Sequence, residues 1–253
     1  MKYQVIFFVL LVARVGVVSA VPGAHQINAT AVVDEIERLF KEKGNESYMI
    51  NEPITQWEHA CQAACIARAA GADEPSIVGA LLHDIGNFVG SHVGNAVGVQ
   101  TTHAQLGSKW LKKQGFPQKV VDCAYWHAFA KVYLCEVDSS YKSTLSRASQ
   151  ESYEAQKGQF SDEMRRQLIR LPYFGQLLAV RRCDDMAKLP GIASDPFTKW
   201  RSIIIRVLEG TESVYANHEW VGTIEWLYGL SLDAPEKFKK IVYESEPSED
   251  RPC

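Results

Sequence analysis

Seven histidines lie along the chain, at His25, His59, His83, His92, His103, His127 and His218. Four of them, His59, His83, His103 and His127, follow one another at intervals of 24, 20 and 24 residues, with Asp84 directly after His83 and Asp184 much later. Each interval is about one helix, a turn and part of the next helix, so successive helices can each point one imidazole at a shared centre. Four imidazoles and two carboxylates form a donor set suited to zinc, iron or manganese rather than calcium. The competing reading is a set of unrelated core histidines, each satisfied by its own hydrogen bond. What favours a centre is that all four stand among good helix formers, with two carboxylates left to complete six ligands.

The elements that must position these residues are helices. The run Ala29 to Lys43 places Val32, Val33, Ile36, Leu39 and Phe40 at helical spacing and stops at Gly44. Thr55-Gln56-Trp57-Glu58 has capping-box order and opens an Ala-rich helix running to Ala70. Asp73, Glu74 and Pro75 begin a third helix whose apolar body leads into His83 and Asp84. A fourth, capped by Thr101 or Thr102, reaches Gln114, and Pro117 opens a fifth that extends through His127. Further helices are predicted over Ser161–Leu171, Pro172–Lys188 and Asp195–Leu208. No series of alternating apolar and polar runs is found, so the fold class is all-α. The segments 90–98, with three glycines, and 137–161 read as loops.

Composition sets the outer limits. The chain has 253 residues, 46% hydrophobic and 23% charged, which excludes disordered, collagenous and multi-span membrane classes. A net charge of −3 lacks the basic field of a non-specific nucleic-acid binder, so nucleic acid is not an expected partner. Six cysteines are too few for a disulfide scaffold, and Cys61 and Cys65, one helical turn apart, read as small buried residues. Residues 1–20 combine Lys2, an apolar run from Val5 to Ala13 and small residues at Val18, Ser19 and Ala20, the pattern of a cleaved signal peptide. An uncleaved membrane anchor is the alternative, but Arg14 would cost about 2.5–3.5 kcal/mol in mid-membrane. The expected destination is secretion or a secretory-pathway compartment, with no stable membrane insertion after signal removal. Sequons at Asn28 and Asn45 fit exposed sites in such a chain. The domain expected is a single unit over 28–245, with its ligand core at 48–188 and a loose tail at 246–253.

His59, His83 with Asp84, and Asp184 resemble the His…His-Asp…Asp signature of the HD-domain superfamily. The resemblance implies a single helical bundle around a dinuclear metal site, because His103 and His127 match the two further histidines of dinuclear members. It implies that His59, His83 and Asp184 serve one metal and His103 and His127 the other, with Asp84 bridging. The family's last ligand lies four residues before a lysine, which favours Asp184, with Lys188, over Asp185.

A narrower resemblance, to the phosphonate-cleaving mixed-valent diiron oxygenases of that superfamily, is carried by residues 51–59, 80–86 and 127–135. It implies two iron ions (Fe2+/Fe3+), O2 and a small 1-hydroxyphosphonate that yields inorganic phosphate and a carboxylate. It also implies gating by Tyr48 and Glu52, although this chain carries one more residue between them than the family does. Substrate contacts would fall to Lys131, as a point charge on the phosphonate, and to Ser149 and Ser152 near the segment 145–149. The family's substrate-contacting histidine three residues after the His-Asp pair is Asn87 here, which can donate a hydrogen bond but carries no charge. His92 is a possible replacement from the glycine-rich stretch, whereas His25 and His218 match no role. The competing enzyme reading is a metal-dependent phosphohydrolase acting on a phosphate ester with the same six ligands, without need of Glu52. A non-catalytic sensor would be expected to have a broken ligand set, and all six positions are filled.

Overall fold

A computed structural model describes residues 27–49, 52–89, 100–192 and 194–211. The expectations for the signal peptide 1–20, the glycine-rich stretch 90–98, the tail 246–253 and His25, His92 and His218 lie outside the described residues. Within them the chain forms α1 (Ala29–Lys43), a hairpin of β1 (Ser47–Met49) and β2 (Glu52–Thr55), α2 (Gln56–Ala69), α3 (Glu74–Leu82), α4 (Gly86–Val89), α5 (Gln100–Lys113), α6 (Gln118–Val137), α7 (Tyr141–Thr144), α8 (Arg147–Gln156), α9 (Asp162–Ile169), α10 (Phe174–Met186) and α11 (Thr198–Glu209). The architecture is all-α apart from that hairpin.

The local signals act where the sequence puts them. Asn28 caps α1 by accepting from the Ala31 N–H. The Thr55–Glu58 capping box is complete, each side chain accepting from the other residue's backbone N–H. Asp73 caps α3 through the Ser76 N–H, with Glu74 in the first turn, where negative charge suits the helix dipole. Around α3 and α6 the other helices pack: α2, α10 and α11 against α3, and α5 and α10 against α6. The main core runs through Ile36, Phe40, Ile66, Ile77, Leu81, Leu82, Leu111, Trp200 and Ile204. A second apolar cluster joins Trp126, Phe129 and Val132 of α6 to Phe160, Leu168 and Leu177.

Two expectations are corrected, for the segment 137–161 and for the start of α5, and two features go beyond what the sequence shows, the hairpin and the length of α6. The segment 137–161 is not an open loop: it holds α7, α8 and a 3-10 turn at Lys157–Gln159. The β1–β2 hairpin was not anticipated, because its strands of three and four residues are too short to show alternation. Helix α5 is already under way at Gln100, so Thr101 and Thr102 lie inside its first turn and are not its cap. Helix α6 runs ten residues past His127 to Val137, because Ala128, Phe129, Ala130 and Val132 continue its buried face. Cys61 and Cys65 are both buried on α2, as read, but Cys65 is disulfide-bonded. Among the described residues no helix is long and apolar enough to cross a membrane.

Candidate metal centre

Two close helix crossings set the geometry. Gly79 of α3 meets Cys123 of α6 so tightly that a Cβ on Gly79 would lie 2.6 Å from the Cys123 Sγ. His83 and His127 each follow one turn later, so this contact brings their rings to 5.2 Å between centroids. Gly86 of α4 lies against α5, where a Cβ would meet the His103 carbonyl oxygen at 1.8 Å. That approach puts His103 beside Asp84, which occupies the turn between α3 and α4. His59 enters from the first turn of α2, and Asp184 from the last turn of α10.

The six residues form two groups of three, His59, His83 and Asp184, and Asp84, His103 and His127, with the ligand atoms of each group within 4.8 Å of one another. Asp84 faces both. Its Oδ1 lies 3.2 Å from His103 Nε2 and 3.3 Å from His127 Nε2, while its Oδ2 lies 3.4 Å from His83 Nε2 and 3.8 Å from His59 Nε2. Asp184 Oδ1 is 3.4 Å from His59 Nε2 and is buried without a hydrogen-bond partner.

The imidazole orientations favour cation binding. His59 Nδ1 is 2.7 Å from the Ala187 carbonyl, His83 Nδ1 2.7 Å from that of Ala80, and His127 Nδ1 2.9 Å from that of Ala124. A carbonyl only accepts, so each Nδ1 carries a proton, and in the neutral ring each Nε2 turns its lone pair inward, as in metal-ligating histidines. Yet His59 and His83 bring their Nε2 atoms to 3.1 Å, and His103 and His127 theirs to 3.0 Å. Facing lone pairs repel unless a proton or a metal cation lies between them. Burial opposes charge on His83, but Asp84 and Asp184 outweigh it and raise that imidazole to about 9. Burial lowers His59, and it takes His127 down to about 4. Burial also works against charge on both carboxylates; His83, His103 and His127 nevertheless hold Asp84 well below the usual range, and Arg181 and His83 do so for Asp184. The donor set, the orphaned carboxylate oxygen and the inward lone pairs fit one or two first-row metal ions.

A cluster of two lysines and two serines adjoins the group at His59. The Tyr48 ring stacks on the His59 imidazole at 3.7 Å, and the Lys188 ammonium lies 6.0 Å from the Tyr48 ring. Lys188 Nζ donates to Ser149 Oγ at 2.8 Å; Lys131, only 3% exposed, donates to Ser152 Oγ, which in turn donates to the Ser149 carbonyl at 3.0 Å. Burial, with Arg181 nearby, lowers the Lys131 ammonium to about 7. The chain thus brings together Tyr48, Lys131, Ser149, Ser152 and all six ligand candidates. Glu52, half-buried on β2, and Asn87, half-buried on α4, bond to none of the six.

Asp184, rather than its neighbour, faces the imidazoles. Asp185 accepts instead from Arg181 and from the Tyr141 hydroxyl. Arg181, Gln62 and Tyr141 were not anticipated; for Arg181 the available signal was its position one turn before two aspartates in a buried helix.

The HD-domain family model matches residues 57–162, a stretch that contains five of the six candidates and stops short of Asp184. Over 191 residues the chain is 34% identical to [1-hydroxy-2-(trimethylamino)ethyl]phosphonate dioxygenase (glycine-betaine-forming) of Leisingera caerulea, covering 74% of this chain and 96% of that protein. It is 33% identical over 180 residues to hydroxymethylphosphonate dioxygenase of Gimesia maris, 70% of this chain and 88% of that one. An uncharacterized protein, L432, of Acanthamoeba polyphaga mimivirus is 31% identical over 189 residues, 72% of this chain and 84% of its own.

Proposed function

The chain belongs to the HD-domain family, and from that premise we propose that it is a diiron oxygenase that cleaves the carbon–phosphorus bond of a 1-hydroxyphosphonate. The observation that carries the reading is the juxtaposition of the two-group His/Asp cluster with the buried Lys131–Ser152 and Lys188–Ser149 pairs, in a chain similar to two proteins named phosphonate dioxygenases. One hydroxyphosphonate and one O2 give one carboxylic acid and one phosphoric acid, and the atoms balance without a further reductant.

His59, His83 and Asp184 would hold one ion, His103 and His127 the other, and Asp84 would serve both. Iron in the Fe2+/Fe3+ state would supply oxygen activation and one-electron chemistry. The chain's residues do the rest. Lys131 and Lys188 neutralise the phosphonate, where burial makes each charge-assisted hydrogen bond stronger than in water. The Ser149 and Ser152 hydroxyls orient its oxygens. Tyr48 covers one face of His59 and keeps water from that side, and Glu52, on the same hairpin, gates entry. Asn87 donates to the phosphonate from α4 once substrate is bound. The catalytic unit spans 28–245 and is exported by the segment 1–20 to the secretory pathway.

The test uses protein lacking residues 1–20 and loaded with iron. Phosphate release from a panel of 1-hydroxyphosphonates and phosphomonoesters is measured with and without O2. Oxygen-dependent release from a phosphonate is expected, reduced in Glu52→Ala. Oxygen-independent release from an ester, unaffected by Glu52→Ala, would replace the oxygenase with a phosphohydrolase.

A further inference from the structure

Gln62 lies one turn after His59 on α2 and is 1% exposed. Its side-chain amide pairs with a single residue of the chain that leaves α10: Nε2 donates to the Leu189 carbonyl at 2.8 Å, and Oε1 accepts from the Leu189 N–H at 3.0 Å. The amide thus clamps one backbone residue as a neighbouring strand would. The two residues before Leu189 both serve the site. The Ala187 carbonyl accepts from His59 Nδ1, and Lys188 reaches Ser149 beside Tyr48. This segment has left the helix, and the clamp fixes its direction at the far end.

We propose that Gln62 is a positioning residue that orients His59 and Lys188 together by clamping the backbone at Leu189. Helix α2 then supplies both a ligand and the anchor of that ligand's hydrogen-bond acceptor, closing a loop from His59 through Ala187, Lys188 and Leu189 to Gln62. Loss of the clamp frees the Ala187 carbonyl to turn away, so that His59 loses the bond fixing its tautomer, and it lets the Lys188 ammonium drift from Ser149. Outer-shell partners of this kind typically change metal affinity by about 10–100-fold. The inference rests on the assignment of His59 as a metal ligand.

Gln62→Met keeps the length and bulk of the side chain and removes both bonds; Gln62→Glu keeps the acceptor for the Leu189 N–H and sets a carboxylate oxygen against the Leu189 carbonyl. Each is titrated anaerobically with Co(II), read by its visible absorption, and the kinetics of the iron-loaded protein on hydroxymethylphosphonate are measured. The wild type is expected to take up two ions. Gln62→Met is expected to weaken one of the two by about 10–100-fold, leave the other unchanged and raise KM more than it lowers kcat, with Gln62→Glu shifted in the same direction. Wild-type affinity for both ions and an unchanged KM in either variant, with only a lower melting temperature, would make Gln62 a packing residue and overturn the proposal. A wild type that takes up no Co(II) would instead overturn the metal assignment beneath it, and the role of Gln62 with it.

Discussion

On the proposed function, Lys131 owes its value as a phosphonate ligand to the burial that makes its charge costly. Because burial lowers its ammonium to about 7, the free protein loses that charge as pH rises through neutrality, whereas a bound dianion favours keeping it. KM for the phosphonate should therefore climb above about pH 7 while kcat changes little, and Lys131→Ala should abolish the climb. Lys131→Ala should also raise KM by about 10–100-fold at pH 6, the equivalent of one lost charge-assisted hydrogen bond of roughly 1.5–3 kcal/mol; initial rates across pH 6–9 check both. Asp84 presents one oxygen to each group, so Asp84→Ala should deplete both ions, whereas Asp185→Ala should leave both ligand groups intact; metal analysis of the purified variants distinguishes them. At this scale much was legible, since His59, His83, His103 and His127 announce themselves by spacing. Gln62 and Leu189 are 127 residues apart, and no local pattern marks a polar side chain whose partner is the backbone of a distant segment.

The ligand candidates His83, Asp84, His103 and His127 sit at or beside two helix crossings, α3 with α6 and α4 with α5, where glycine replaces a side chain. Gly86→Ala would drive a methyl into the His103 carbonyl, a backbone atom that cannot rotate away. It should cost about 3 kcal/mol or more, the upper end for overpacking, and weaken metal at the group containing His103 before the other, as melting curves and metal content will show. Gly79→Ala should cost less and be partly relieved by Cys123→Ala, which removes the Sγ at 2.6 Å and leaves the Cβ at 2.9 Å; a double-mutant cycle on stability checks the coupling. Helix α8 explains why the sequence misled over 137–161. Its buried residues are Ala148, Ser149, Ser152 and Gln156, so its inward face is small and polar, facing Lys131 and Lys188 instead of apolar core. Hydrophobic periodicity finds helices that pack on a core and passes over one whose inner face lines a polar site.

The molecule is braced from its far side by α11, whose Arg206 pairs with the buried Glu74 at the start of α3 and whose Arg201 pairs with Asp34 and Glu37 of α1. Arg206→Met strands a buried carboxylate and should destabilise the protein by about 3 kcal/mol, the lower end for a broken buried pair, because part of Arg206 remains in solvent. Urea unfolding measures this, and metal content at low temperature should not change. The pattern of helices reveals which segments fold but not which ends meet, and so the brace could not be read in advance. The bond from His59 to Ala187 joins residues 128 positions apart. On a ribosome adding about 5–20 residues per second, roughly 10 s separates the two. Asp84, His103 and His127 emerge well before Asp184, so the nascent chain holds one group of donors while the other still lacks its carboxylate. On the proposed assignment of two ions, metal loading thereby acquires an order: the later group is complete for an ion only once the segment that orients it has been translated.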